Sequence, residues 1–118
     1  MPYRVPVTPA RGNSLDTVRR DNLAAVLGLV HRSGGLSRSA LTASTGLNRS
    51  TIAALVAELV DLGIVMQSDA APTNRVGRPS AWVSPSTDPV AIAVNPEVDA
   101  ITVGLVGLGA RVETTVRH

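Results

Sequence analysis

The stretch LSRSALTASTGLNRSTIAALVAELVDLGIV, residues 36–65, decides how this chain folds. Ser37 and Asn48 are residue types that favour the N-cap position of a helix. Gly46 and Gly63 are of the type that favours the position just beyond a helix. The pattern therefore predicts two helices joined by a very short break. The apolar residues of the second of these helices recur at the spacing of one helical face: Ile52, Leu55, Val56, Leu59 and Leu62.

Another helix is predicted before this stretch, over residues 15–32. Ser14 is suited to be its N-cap, and Asp16 lies in its first turn, where the helix dipole favours an anion. The sequence SGG at residues 33–35 ends this helix. Its apolar residues also follow a helical spacing: Leu15, Val18, Leu23, Val26, Leu27 and Val30.

The hydrophobic period changes after the third helix. Residues 64–68 (IVMQS) and 80–84 (SAWVS) are predicted strands, and residues 69–79 between them are rich in turn formers. Three helices followed by a two-stranded hairpin is the order of a winged helix-turn-helix. The predicted fold class is therefore mainly α with a small β hairpin.

Residues 85–89 (PSTDP) are predicted to link this unit to a second one. Three strand-like runs follow, VAIAVN, AITVGLVGL and RVETTVRH. The first two are apolar at successive positions, which is typical of strands buried on both faces of a sheet. So short a segment cannot supply the covering layers. Residues 87–118 are therefore expected to be the incomplete start of a larger domain. The winged helix-turn-helix is expected at residues 14–86, and a flexible arm at residues 1–13.

The composition of the 118 residues limits the classes of function. Cys is absent, which excludes disulfides and thiolate metal sites. No apolar run reaches the length of a spanning helix and no signal peptide is visible, so a soluble, cytoplasmic protein without membrane association is expected. All eleven basic side chains are Arg. Guanidinium groups suit phosphates and guanine edges, although a compositional bias of the genome explains the same count.

The polar first turn of the third helix, NRST, has two interpretations. A helix that reads DNA presents short polar side chains at its N-terminal end to base edges in the major groove. Arg49 would then pair with guanine, and the methyl group of Ala54 would touch thymine. Ser50 and Thr51 are short donors for phosphate or base. The alternative is an ordinary capped helix in a small bundle.

The predicted loop between the two strands carries Arg75, Gly77 and Arg78 in the sequence TNRVGRP. It lies where a wing would follow the third helix. A wing arginine can enter a minor groove, where the potential is most negative, and the glycine lets the backbone turn. The alternative is a solvated hairpin turn that holds two charges.

No catalytic or metal-binding arrangement is predicted. The two histidines, His31 and His118, have no clustered carboxylates beside them. His31 is expected near the end of the first helix, where a positive charge suits the dipole. The run GLVGLGA is neither a dinucleotide-binding nor a phosphate-binding loop. The chain is therefore not expected to be an enzyme, and no cofactor is expected.

Taken together, RRDNLAAVLGLVHRSGGLSRSALTASTGLNRSTIAALVAELVDLGIV and VGRPSAWVSPS resemble the ROK family (repressors, open reading frames and kinases). The chain looks most like the repressor branch, similar to xylose and N-acetylglucosamine repressors. The marks are Asn22 after a basic pair, LSRSAL, TGLNRSTIAALVAELVDLGIV and GRPS. In that family a winged helix precedes a sugar-kinase-like domain of the α/β, actin-like ATPase type, which binds a sugar effector.

The resemblance implies recognition positions and a function. DNA-contacting residues are expected at 48–51, with a wing at 75–79, and Ser37 and Arg38 in LSRSAL are included in the expected DNA-binding set. The function implied is binding of double-stranded DNA as a transcriptional regulator, a repressor of carbohydrate-utilisation genes. A sugar effector would bind only in a full-length relative, and a homodimer would be weak in this chain.

One departure from the family bears on ATP binding. Kinase-type members carry a Gly-rich phosphate loop between the first two strands of the second domain. Here that place reads NPEVDA, with Asn95 where the Asp is expected, so ATP binding is not expected. Two alternatives stay open: a winged-helix module that docks a protein partner, and a non-catalytic remnant of a ROK sugar kinase.

Overall fold

The computed structural model describes residues 14–69 and 80–118. Three helices open the described chain: α1 (Leu15–Ser33), α2 (Arg38–Thr45) and α3 (Arg49–Asp61). The side chains of Ser14, Ser37 and Asn48 accept hydrogen bonds from backbone N–H groups in the first turns, so the three expected N-caps are confirmed. Gly46 ends α2 with a φ of 72°. Glycine adopts this left-handed conformation without steric cost, which allows the three-residue break before α3.

The helices enclose an aliphatic core with the first sheet. Its buried members come from every helix and two strands: Val26, Val30, Leu41, Ile52, Leu55, Val56, Leu59, Val65 and Val83. Both buried residues of α1 lie in its second half. The first turn of α1 extends beyond this core, and Leu15 and Val18 are 90% and 45% exposed there. The helical spacing of the apolar residues of α1 therefore includes two residues that are not buried.

The predicted apolar stripe of α3 is confirmed up to Leu59 and wrong at Leu62, which is 62% exposed. The helix ends at Asp61, and Gly63 adopts a φ of 74°. The helical spacing does not predict burial beyond the last turn, because the chain changes direction there. Val65 fills the core instead.

The first sheet has three strands rather than the predicted two. Strands β1 (Leu36–Ser37), β2 (Val65–Ser68) and β3 (Trp82–Pro85) are antiparallel in the order β1-β3-β2. The added strand is the pair of residues before α2, which aligns with Val83 and Trp82. The winged-helix assignment stays a prediction, since residues 70–79 between β2 and β3 lie outside the described residues.

The second sheet is an antiparallel meander of β4 (Val90–Pro96), β5 (Ile101–Gly107) and β6 (Arg111–Arg117). The three predicted strand runs are thus confirmed as strands. The expectation of burial on both faces is not met in this chain, because every residue of β4 is exposed. Alternating residues place one row of exposed aliphatic side chains on the same face: Val90, Ile92, Val94, Ile101, Val103 and Val116.

The two sheets are joined by a short connection. Ser86, which is buried, donates its backbone N–H to the carbonyl oxygen of Ile64 (2.9 Å) and therefore contacts the helical part of the molecule. Thr87, Asp88 and Pro89 then lead into β4. No helix of the described residues is long and apolar enough to cross a membrane.

Candidate nucleic-acid interface

The first turn of α3 is organised by Asn48. Its Oδ1 atom accepts a hydrogen bond from the backbone N–H of Thr51 and another from the hydroxyl of Ser50, both at 2.8 Å. This oxygen therefore faces the helix. The amide nitrogen of the same side chain has no hydrogen bond among the described residues, and Asn48 is exposed. Two N–H donors are thus directed away from the helix cap.

Ser50 was expected to be a hydrogen-bond donor for phosphate or base, but its hydroxyl already donates within the protein. Its one hydroxyl proton is donated to Asn48, so in this conformation the exposed side chain presents acceptor lone pairs. Ala54 lies four residues further along α3 and is also exposed. Residues four apart lie on one helical face, so Ser50 and Ala54 share an accessible stripe. Thr51 is half-buried.

An open cleft of about 380 Å³ brings two of the expected residues together. Arg38, the first residue of α2, and Arg49, the first residue of α3, both line it. The remaining lining residues come from both helices and from the chain just before β3: Ser39, Thr42, Ile52, Ser80 and Ala81. Two arginines from separate helices therefore line one concave surface.

Backbone hydrogen bonds fix the walls of this cleft. The N–H of Arg38 donates to the carbonyl oxygen of Ala81 (2.9 Å), and the N–H of Ser39 donates to the hydroxyl of Ser80 (3.1 Å). These bonds hold the start of α2 against the chain that enters β3. Ser37 accepts from the N–H of Ala40 (3.0 Å) as the cap of α2. Its oxygen thus has a structural role, whatever else its hydroxyl contacts.

The charges and helix dipoles at the start of α2 and α3 are positive. The first turns of α2 and α3 contain no acidic residue, and the N-terminus of each helix carries the positive end of its dipole. Among residues 14–69 and 80–118, neither Arg38 nor Arg49 forms an ion pair. Backbone amides, dipoles and unneutralised guanidinium groups together favour an anionic ligand.

One contributor was missed by the sequence analysis. Arg19 of α1 forms an ion pair with Glu58 of α3. Glu58 lies one turn beyond Ala54 on α3, so its negative charge borders the accessible stripe. The partner charge of Arg19 reduces that repulsion towards an anion. The basic pair Arg19–Arg20 is apparent in the sequence. No local pattern predicts that Glu58 is the carboxylate with which Arg19 pairs.

Some of the expected site residues lie outside the described residues. They belong to residues 70–79, which would form the wing: Arg75, Gly77 and Arg78. Their contact with a ligand stays a prediction, and so does that of the arm at residues 1–13.

The turn between β4 and β5 bears on the kinase alternative. Arg117 pairs with Glu97 (2.9 Å) and with Asp99 (3.7 Å), and the N–H of Glu97 donates to the carbonyl oxygen of Ala100 (2.8 Å). A phosphate placed at this turn would meet two carboxylates. In the described ranges, this turn included, no three His, Asp or Glu side chains lie close enough together to hold a metal ion.

Comparisons with known proteins give a structural likeness without a sequence match. No protein-family model matches the chain, and no curated protein sequence does. A solved structure described as a ROK family transcriptional regulator, homolog of the E. coli MLC protein, superimposes with a TM-score of 0.57. That protein is 20% identical, and the match covers 85% of this chain and 26% of that one. At this identity the likeness establishes a shared fold, and this chain spans about a quarter of that protein's length.

Proposed function

We propose that this chain is the DNA-binding part of a transcriptional regulator of the ROK family. The observation that carries the proposal is the cleft at which Arg38 and Arg49 meet, beside the uncommitted amide of Asn48. The likeness in fold to about a quarter of a ROK regulator supports it. Residues 14–86 form the winged helix-turn-helix, residues 1–13 an arm, and residues 87–118 the first strands of an effector domain.

The proposed roles follow from position. The first turn of α3 enters the major groove, where Arg49 pairs with guanine and the amide of Asn48 donates to phosphate or base. Arg38, at the start of α2, contacts backbone phosphate. Arg75 and Arg78 of the wing contact the minor groove or the backbone. A phosphate-contacting residue adds affinity on every sequence, whereas a base-contacting residue discriminates between sequences.

The regulated genes, the effector and the oligomeric state are also proposals. Resemblance to the repressor branch suggests repression of carbohydrate-utilisation genes in the cytoplasm, with a sugar effector bound by a domain of the full-length relative. A two-fold operator would be read by a homodimer. This chain alone is proposed to dimerise weakly.

Fluorescence anisotropy tests the proposal. The chain is titrated against a labelled duplex from the region upstream of its own gene and against a scrambled duplex, each at about 50 and 200 mM salt. We expect affinity for both duplexes to fall steeply with salt, because bound arginines release counterions. The native duplex should bind more tightly at both salt concentrations.

Failure has a defined meaning. A folded sample that binds neither duplex at low salt contradicts DNA binding by this chain and favours the protein-interaction module. Equal affinity for both duplexes would support DNA binding by this chain and contradict its sequence specificity. Binding of ATP, tested beside it by the same titration with a labelled nucleotide, would favour the kinase remnant, against which the acidic turn at Glu97 and Asp99 argues.

A further inference from the structure

The last turn of α1 contacts the second sheet through a histidine. Nδ1 of His31 accepts a hydrogen bond from the backbone N–H of Gly109, with 3.0 Å between the nitrogens, across 78 positions of sequence. Nδ1 can accept this hydrogen bond only while it carries no proton. The expected position of His31 in the last turn of α1 is confirmed.

The loop that supplies this N–H has an unusual backbone. Leu108–Ala110 connects β5 to β6, and Gly109 and Ala110 have φ angles of 76° and 58°. Alanine rarely adopts a left-handed conformation, so contacts outside the loop are needed to stabilise it. A Cβ atom at Gly109 would lie 3.4 Å from Cγ of Pro85 and 3.9 Å from Cα of Gly34. The loop is thus seated against the end of α1 and the end of β3.

The covalent connection between the two parts does not by itself fix their orientation. Only Thr87, Asp88 and Pro89 separate Ser86, which bonds to the helical part, from the start of β4. Rotation about the backbone bonds of these residues would change the orientation of the second sheet relative to the helical part. The bond from Gly109 to His31 is a second point of attachment, and two points restrict an orientation that one leaves free.

We propose that the hydrogen bond at His31 fixes the second sheet to α1, so that movement of the Leu108–Ala110 loop is transmitted to the helical part. His31 is a positioning residue in this proposal. The route continues through α1 to α3, because Arg19 pairs with Glu58. The proposal concerns the joint between the two parts and does not depend on DNA binding.

Backbone ¹⁵N relaxation of the whole chain tests the joint without DNA. His31→Phe keeps an aromatic ring and removes the acceptor, whereas His31→Asn keeps an acceptor oxygen and removes the ring. His118→Phe is the matched control at the other histidine. We expect one shared rotational correlation time for the helical part and the second sheet in the wild type, His31→Asn and His118→Phe. We expect that common value to be lost in His31→Phe.

The pattern decides between a hydrogen bond and simple packing. Loss in His31→Phe together with retention in His31→Asn supports the proposal, and any other pattern overturns it, including two correlation times in the wild type. Amide chemical shifts of α2 and α3 verify that each variant is folded. Should His31→Phe not fold, His31→Ala replaces it with the same expected result.

Discussion

The two polar atoms of the Asn48 side chain have separate roles. The oxygen accepts from Thr51 and Ser50 and caps α3, while the nitrogen has no partner among the described residues. Sequence reasoning identified the cap, because cap preference is a local property. The division of roles depends on which way the amide is turned, and only the hydrogen bonds show that.

Substitution of Asn48 by Asp should separate folding from DNA binding. Asp caps helices about as well as Asn, and its charge suits the helix N-terminus, so we expect an unchanged or higher thermal midpoint. DNA affinity should fall by roughly 1–3 kcal/mol, the usual cost of losing a groove contact. Circular dichroism melts and anisotropy measure the two effects.

Asn48→Ser is the control for that experiment. Ser keeps the cap without adding a charge, so its affinity should lie between those of the wild type and Asn48→Asp. Undiminished DNA binding by Asn48→Asp would place this turn away from the duplex.

Arg49 and Arg38 line the same cleft but are proposed to contact different parts of DNA. Arg49→Ala should cost roughly 1–3 kcal/mol on the preferred duplex and relax the base preference. Arg38→Ala should weaken binding to all duplexes alike and lower the salt dependence. Arg117→Ala, which removes the same charge from the second sheet, is the control and should change affinity least. An equal loss on all duplexes for Arg49→Ala would assign it to phosphate instead.

At the scale of elements, the helices were predictable and the sheet edge was not. Caps and apolar spacing are local signals, and they gave α1 to α3 with bounds close to those observed. Strand β1 has only two residues, too few to show a period, and its partner β3 is distant in sequence.

The candidate site was predictable to the same extent. The polar turn of α3 is visible in the sequence, because capping residues and a charge stand together there. The meeting of Arg38 with Arg49, and of Arg19 with Glu58, depends on how the helices pack. Charges distant in sequence carry no periodic signal of their pairing.

The ion pair between α1 and α3 should matter more for binding than for stability. Its side chains are 55% and 34% exposed, and exposed pairs contribute at most about 1 kcal/mol. Arg19→Ala should therefore lower the free energy of unfolding by less than that amount. At low salt it should weaken DNA binding, because Glu58 is left unneutralised beside the duplex.

The double variant Arg19→Ala/Glu58→Gln tests the reason for that effect. Restored affinity in the double variant, measured by anisotropy at low salt, is the expected result. Affinity that stays low would mean that Arg19 contacts DNA directly.

The junction between α1 and β1 depends on close packing against Trp82. A Cβ atom at Gly35, where φ is 148°, would lie 2.9 Å from Nε1 of Trp82. At Gly34, where φ is 76°, the same atom would meet nothing within 4 Å. Gly35→Ala should therefore destabilise the fold by more than about 1 kcal/mol, and by more than Gly34→Ala. Urea denaturation followed by the fluorescence of Trp82 measures both, and equal losses would exclude the steric contribution.

At the scale of the whole molecule, none of the described residues covers one face of the second sheet or pairs with the outer side of its two edge strands. Exposed aliphatic rows and unpaired strand edges favour self-association. Ile92 is 71% exposed on that face, so Ile92→Lys should reduce self-association without unfolding the chain. Val98→Lys places the same charge in the turn between β4 and β5 and should have less effect. Sedimentation velocity over a range of concentrations compares the self-association of the two variants. Equal self-association would show that this face is not the contact surface.

The contact between His31 and Gly109 has a consequence for how the chain acquires its structure. The three helices make contacts that are short in sequence, whereas this one closes a loop of 78 positions. Closing longer loops costs more entropy, and folding slows as contacts become less local. The helical bundle should thus form early and the joint last. During synthesis, α1 to α3 leave the ribosome before β6 is made, so the helical part should pack before the second sheet is complete.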